Sequence, residues 1–195
     1  QVRERVVATL QAAGKHPIVC ADTPGFIVNR CARPFYGEAF AILEENTHSA
    51  AEIDAAMTAA GYRIGPFALI DLIGADVHLA ATEGVATGFD NHPRYRGFDA
   101  LRNAVNAGRL GRKSGSGFVT PSEVVAAPDE AAEIVQRIEV MLVNEAVTLW
   151  ENSSLSRGDI DTAMMLGLNF PRGPFAMAVE IGAAQVRDTL ARLHA

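Results

Sequence analysis

The sequence predicts an all-α protein made of two copies of one helical bundle packed together. Residues shared by the copies keep a spacing of 107 positions, as in Glu38-Ala39 against Glu145-Ala146. After a one-residue insertion the match continues at 108, where Gly65-Pro66-Phe67-Ala68 pairs with Gly173-Pro174-Phe175-Ala176. A constant spacing over so many residues indicates duplication, and two long copies argue against a small-period solenoid. Abundant Ala, with singly placed Gly and Pro, is typical of short helices with tight connections.

The first elements precede the repeated region. Residues 2–13 have apolar side chains at helical spacing and predict a helix. Residues 17–20 are apolar and β-branched and predict one strand, for which this sequence offers no partner. The turn Asp22-Thr23-Pro24-Gly25 leads into a helix predicted over residues 26–45. Pro34 should kink that helix, because its ring removes a backbone hydrogen bond and crowds the preceding turn.

A capping box marks the start of the next helix in each copy. Ser49 and Glu52 stand three residues apart in the first copy, and Ser156 and Asp159 occupy the matching places in the second. The carboxylates that recur in both copies are expected at helix ends and inter-helix contacts. Further helices are predicted from residue 66 and over 76–87, 98–107, 130–151 and 175–193.

Composition and charge narrow the function classes. The net charge of −6 disfavours a nucleic-acid partner, although residues 102–113 hold a local basic cluster. No apolar run approaches the roughly 18 residues that cross a bilayer, so no membrane role is expected. Cys20 and Cys31 share no metal-ligand spacing. We therefore expect two reduced thiols in a cytoplasmic protein without a metal site.

The glycine-rich segment over residues 108–118 superficially resembles a phosphate-binding loop. Its Gly111-Arg112-Lys113-Ser114 follows a helix instead of a strand and has Arg between Gly and Lys, so we exclude nucleotide hydrolysis. Two interpretations stay open. Arg112 and Lys113 contact an anionic ligand group, or the segment is a solvated exit from the bundle. The five histidines show no catalytic or metal-ligand spacing and are expected in surface or structural roles.

Asn29 and Arg30 follow the Pro-Gly turn at the predicted start of the long helix. A helix start presents free N–H groups, and an amide side chain there can donate to a carbonyl oxygen. The second copy has Gln136-Arg137 at this place, which indicates a structural role for Arg30 and a specialised one for Asn29. A capping or helix-contact role for the Asn29 amide stays open at this point.

The residues from Asp22 to Arg30 resemble the motif that opens the C-terminal domain of 3-hydroxyacyl-CoA dehydrogenases. Glu38-Ala39, Ile53-Asp54, Gly65-Pro66-Phe67 and the glycines around Lys113 continue the resemblance in order. The second copy is similar to the tandem C-terminal domain of the longer bacterial members, including those of phenylacetate and fatty-acid degradation. The resemblance implies a bundle like the C-terminal domain of 6-phosphogluconate dehydrogenase. It also implies four segments: 1–21 from a preceding domain, 22–120 as the first C-terminal domain, 121–129 as a linker and 130–195 as a second, shorter copy.

The resemblance implies oxidation of a 3-hydroxyacyl-CoA to the 3-ketoacyl-CoA, with NAD as the hydride acceptor. Asn29 matches the active-site Asn of the family, and Lys113 matches a family Lys close to the cofactor. The nucleotide-binding fingerprint and the general-base His of the family lie in its N-terminal domain and are missing from this sequence. We therefore expect NAD to be bound mainly by that domain, and the isolated chain to be inactive.

The expected partners are an acyl-CoA substrate, the missing N-terminal domain and another copy of the chain in a homo-oligomer. The second copy has Gln136 in place of the Asn and lacks the glycine-rich tail. It is therefore expected to pack against the first copy, or to substitute for a dimer contact, and not to form a second active site. The alternative is a purely structural, all-helical oligomerisation module in which Asn29 and Lys113 have no active-site role.

Overall fold

The computed structural model describes residues 1–120 and 125–194, and the fold over these ranges is helical, as the sequence predicts. A separate helix, α1 (Val2–Ala12), precedes the first copy. The first copy contains α2 (Val28–Cys31), α3 (Arg33–Glu44), α4 (Ala50–Ala59), α5 (Pro66–Ile73), α6 (Ala75–Gly88) and α7 (Asp99–Asn106). The second contains α8 (Ala131–Glu151), α9 (Arg157–Leu168), α10 (Pro174–Ile181) and α11 (Ala183–His194). Two short 3-10 helices, Pro93–Tyr95 and Arg112–Ser114, lie in the first copy.

Both predicted capping boxes form. The Glu52 carboxylate accepts a hydrogen bond from the Ser49 backbone nitrogen at 2.8 Å, and the Ser49 hydroxyl accepts one from the Glu52 backbone nitrogen. Ser156 and Asp159 repeat this arrangement at the start of α9. The duplicated sequence therefore produces duplicated helix starts.

A carboxylate also caps the helix that follows in each copy. The two Asp54 oxygens accept from the first free backbone nitrogens of α5 at 2.9 and 2.7 Å, and Asp161 does the same for α10 at 2.8 and 3.2 Å. A Cβ atom on Gly65 would lie 2.3 Å from the Asp54 carboxyl carbon, and one on Gly173 would lie 2.2 Å from that of Asp161. Glycine is therefore required before both helices, which explains why it recurs at the start of the repeated Gly-Pro-Phe-Ala.

The two copies pack together through α3 and α8 around one hydrophobic core. Two ion pairs cross this interface reciprocally. Arg30 Nε donates to Glu145 Oε1 at 2.7 Å, and Arg137 Nε donates to Glu38 Oε1. Arg137 and Glu145 stand 107 positions after Arg30 and Glu38, so each pair is the counterpart of the other. Such reciprocity is the mark of a two-fold interface.

Three predictions about individual elements are wrong. Residues 17–20 form no strand, because a single strand has no neighbouring strand to pair with. No strand occurs elsewhere in the described ranges. The helix predicted over 26–45 is not one kinked helix: the chain breaks at Ala32 between α2 and α3, and Pro34 occupies the first turn of α3, where its missing N–H is no loss. The helix predicted over 175–193 divides at Gly182, whose φ is 86°.

The segments outside the bundles contribute little to the core. Helix α1 forms as predicted, but none of its residues is buried. The predicted linker over 121–129 falls partly outside the described residues. Within the described ranges, no helix is both long and apolar enough to cross a membrane.

Candidate functional site

A strained turn holds Asn29 at the surface. Gly25 and Phe26 both have left-handed backbone, with φ of 76° and 49°. A Cβ atom on Gly25 would lie 2.8 Å from the backbone nitrogen of Arg30, so the turn requires glycine there. The left-handed conformation costs a residue such as Phe26 roughly 1–2 kcal/mol, and such strain concentrates at functional sites. The turn places Asn29 in α2 with its side chain exposed.

A cleft of about 410 Å³ lies beside Asn29. Its lining includes Ile18 and Cys20 from the segment before the turn, and Leu166 and Gly167 from α9. Helices α2 and α9 approach closely here, because a Cβ atom on Gly167 would lie 2.9 Å from a methyl group of Val28. Asn29 therefore lines an open, mostly apolar cleft where the two copies meet.

Lys113 lies in the glycine-rich segment, on the 3-10 helix Arg112–Ser114. Its Nζ forms an ion pair with Asp76 Oδ1 at the start of α6, and its side chain is 44% exposed. The segment folds over Asp71, whose carboxylate accepts from two backbone nitrogens at 2.9 to 3.0 Å. A Cβ atom on Gly117 would lie 2.1 Å from an Asp71 oxygen. Close packing therefore explains this glycine, while Lys113 stays accessible.

The two candidate residues have separate surroundings. The backbone oxygen of Asn29 accepts from Arg33 Nε at 2.9 Å, whereas the Lys113 ammonium pairs with Asp76. Across the described part of the chain, no hydrogen bond or ion pair connects Asn29 to Lys113.

Sequence reasoning missed a buried network around Glu145. This fully buried carboxylate accepts from Arg30 Nε at 2.7 Å, Arg94 Nη1 at 2.9 Å and the Tyr95 hydroxyl at 2.7 Å. Burial raises the pKa of Tyr95 to about 12, and the Glu145 charge adds to the shift. Arg94 and Tyr95 lie outside the repeated pattern, so no counterpart in the second copy draws attention to them.

A second missed group is Arg33, one helical turn after Asn29. It lies among apolar residues, and this charged position within an otherwise apolar run was the available signal. Its Nη1 donates to Thr82 Oγ1 at 3.0 Å, and its guanidinium lies 5.2 Å from the centre of the Tyr36 ring. Burial lowers the pKa of Arg33. Burial, together with the charge of Arg33, lowers the pKa of His78 to about 3, so that imidazole is neutral near pH 7.

The comparisons with known proteins agree with one another. Residues 25–121 and 134–195 match the family described as 3-hydroxyacyl-CoA dehydrogenase, C-terminal domain. A relative from Escherichia coli (strain K12), named 3-hydroxyadipyl-CoA dehydrogenase, is 28% identical across 100% of this chain and 60% of its own length. The fatty acid oxidation complex subunit alpha of Acinetobacter baylyi is 32% identical across 95% of this chain and 30% of its own length.

A solved structure gives the same result for the fold. The crystal structure of 3-hydroxybutyryl-CoA dehydrogenase from Escherichia coli K12 superposes with a TM-score of 0.89 and 29% identity, over 97% of this chain and 60% of that one. The present chain spans 60% or less of the length of these proteins.

Proposed function

Because this chain belongs to the 3-hydroxyacyl-CoA dehydrogenase C-terminal domain family, we propose that it supplies the substrate-binding and dimerisation region of such an enzyme. The whole protein converts 3-hydroxyacyl-CoA to 3-ketoacyl-CoA with NAD in fatty-acid or phenylacetate-type degradation. The names of the relatives, which refer to hydroxyacyl-CoA dehydrogenases and fatty acid oxidation, support this assignment. The observation that carries it is the exposed Asn29 on a strained turn beside an open cleft.

Asn29 binds and orients the acyl thioester in this proposal. Its side-chain amide forms no hydrogen bond within residues 1–120 and 125–194, so its Nδ2 can donate to a substrate oxygen. A donor aimed at an oxygen that gains charge in the transition state is worth about 2.7–4 kcal/mol. The hydroxyl proton of the substrate passes to a general base, which belongs to a preceding domain.

NAD, when it is bound, accepts the hydride. In this proposal the residues of this chain line only the edge of the NAD site. The sequence has no Gly-x-Gly-x-x-Gly turn, the feature that holds a dinucleotide pyrophosphate, so a preceding domain provides the main site. Lys113 suits a peripheral contact because its ammonium is accessible and lies beside Asp76. It can approach an anionic phosphate while it keeps this ion pair.

The second copy takes the place that a second subunit would occupy at a two-fold interface. The reciprocal pairs of Arg30 with Glu145 and Arg137 with Glu38 support this role. Gln136, the counterpart of Asn29, donates to Thr189 Oγ1 at 2.8 Å. Its amide therefore forms an internal hydrogen bond. We divide the chain at residues 121–129. We also propose that the chain forms a homo-oligomer.

The decisive experiment is Asn29→Ala in the full-length protein. If the amide stabilises developing charge, turnover falls roughly tenfold or more while the melting temperature is unchanged. Asn103→Ala is the matched control, because Asn103 is exposed on α7. If the chain is only a helical oligomerisation module, Asn29→Ala leaves turnover intact, and the melting temperature also stays unchanged because the Asn29 amide caps no helix in the described residues.

The isolated chain provides a second test. With acetoacetyl-CoA and NADH it should give no turnover above a blank, because the general base and the main cofactor site are in a preceding domain. Clear activity of the chain alone would contradict that division of roles.

A further inference from the structure

Arg33 is a buried cation with only neutral partners. Its side chain is 8% exposed, and its guanidinium contacts the Asn29 carbonyl oxygen, the Thr82 hydroxyl and the face of Tyr36. No carboxylate in residues 1–120 or 125–194 forms an ion pair with it. A buried charge is costly unless it is paired, so this guanidinium favours an anionic partner from outside the described residues. The lowered pKa of Arg33 agrees with this desolvation.

The guanidinium lines a cavity of about 170 Å³ between α3, α6, α8 and the 3-10 helix Pro93–Tyr95. This volume is large enough for several water molecules or for the end of a short acyl chain. Tyr36, Phe98, Leu101 and Met141 provide apolar surface, and Arg33, His78, Thr82 and Asn144 also line the cavity. The cavity therefore offers both apolar and polar surface to a ligand.

The charges around this cavity leave an excess of positive charge. Two carboxylates line it, but Glu145 is matched by Arg30 and Arg94, and Glu38 is matched by Arg137. Arg96 lies 4.2 Å from the centre of the Phe98 ring and, like Arg33, pairs with no carboxylate in the described part of the chain. His78 is neutral and adds no charge near pH 7. The cavity therefore favours an anion.

We propose that this cavity binds a carboxylate group, with Arg33 as its main partner and Arg96 at its rim. A planar guanidinium matches a carboxylate in two parallel hydrogen bonds, which an ammonium cannot reproduce. The carboxylate comes either from the far end of a dicarboxylic acyl thioester or from a free short dicarboxylate. The first source rests on the proposed function: Arg33 follows Asn29 by one helical turn and donates to its backbone carbonyl, while the two side chains line different cavities.

Calorimetric titration of the 195-residue chain tests the site without requiring turnover. The probes are adipyl-CoA and hexanoyl-CoA, which have the same chain length and differ in the terminal carboxylate, and free adipate. Adipyl-CoA should bind at least tenfold more tightly than hexanoyl-CoA. Binding of adipate alone, with no gain from the CoA group, would identify a free dicarboxylate as the ligand. Equal binding of the two thioesters, with none of adipate, would overturn the proposal.

Arg33→Met separates ligand binding from a structural role. It should reduce adipyl-CoA affinity to that of hexanoyl-CoA, leave hexanoyl-CoA affinity unchanged and keep or raise the melting temperature, because an unpaired buried charge is removed. Arg33→Lys, which keeps the charge, should lose part of the preference. Arg102→Met is the control, since its exposed side chain already pairs with Glu83 and Asp99. If Arg33→Met lowers both affinities equally or destabilises the chain, Arg33 is a structural residue. These outcomes are independent of the turnover test on Asn29.

Discussion

Replacing Glu145 by Gln tests whether the two reciprocal ion pairs between the copies contribute unequally to the free energy of unfolding. Glu145 is 0% exposed and accepts from Arg30, Arg94 and Tyr95. Its counterpart Glu38 is 11% exposed, and its partner Arg137 also forms two hydrogen bonds with Glu45, at 2.8 and 2.6 Å. Loss of the Glu38 charge leaves Arg137 paired, whereas loss of the Glu145 charge leaves two arginines without a carboxylate.

The expected magnitudes follow from this difference. Removing one partner of a buried ion pair costs about 3–5 kcal/mol, so Glu145→Gln should reduce the free energy of unfolding by that amount. Glu38→Gln removes one of two carboxylates from a partly exposed arginine and should cost about 1 kcal/mol or less. The isosteric amide keeps the volume in both variants, so packing contributes equally to each.

The assay is urea unfolding of the 195-residue chain, followed by circular dichroism. The midpoint should shift far more for Glu145→Gln than for Glu38→Gln, while the dependence of the free energy on urea stays constant. Equal destabilisation by the two variants, or a loss below about 1 kcal/mol for Glu145→Gln, would refute the reasoning.

Two further predictions concern stability. The pKa of His78 is about 3 in the folded state and about 6.5 in the unfolded state. Below pH 6.5 the unfolded state therefore binds one more proton than the folded state. As a result, the free energy of unfolding decreases as the pH falls from about 6.5 towards 3. His78→Gln should therefore show a shallower loss of melting temperature over that range than wild type, whereas the exposed-site variant His16→Gln should follow wild type. Gly84 is an exposed residue inside α6 with open space around it, so Gly84→Ala should stabilise the chain by about 0.5–1 kcal/mol. Gly117→Ala should destabilise the chain, because the added Cβ would collide with Asp71. Thermal unfolding of both variants measures the contrast, and equal shifts of the melting temperature would contradict it.

The repeat in the sequence predicted those parts of the fold that depend on local interactions. The capping boxes at Ser49 and Ser156 act through residues three positions apart, so their pattern was readable and both helices start as predicted. Pro34 shows the limit of the same reasoning. Proline disrupts the interior of a helix, which leaves two possibilities: a kink in one helix, or the start of a new helix. In the fold, Pro34 lies at the start of a new helix, and the sequence alone does not distinguish the two.

The candidate site was predicted only where a motif identified it. Asn29 and Lys113 follow from the resemblance, and the structure adds that both are accessible. Arg33 and Glu145 depend on contacts between segments 49 to 115 residues apart, which no local pattern records. The ion pairs between the copies join residues that are distant in the sequence, so they are identified only from the folded structure.

Joining the two copies in one polypeptide changes which substitutions the contact between them can tolerate. In a homodimer every mutation appears on both sides at once, so each change must suit two places. Here the sides mutate singly, and Glu145 has Arg94 and Tyr95 as extra partners while Arg137 is shared between Glu38 and Glu45. Covalent tethering also makes the pairing insensitive to dilution, since the local concentration is set by the connection. Each copy can therefore change at this contact without a matching change in the other.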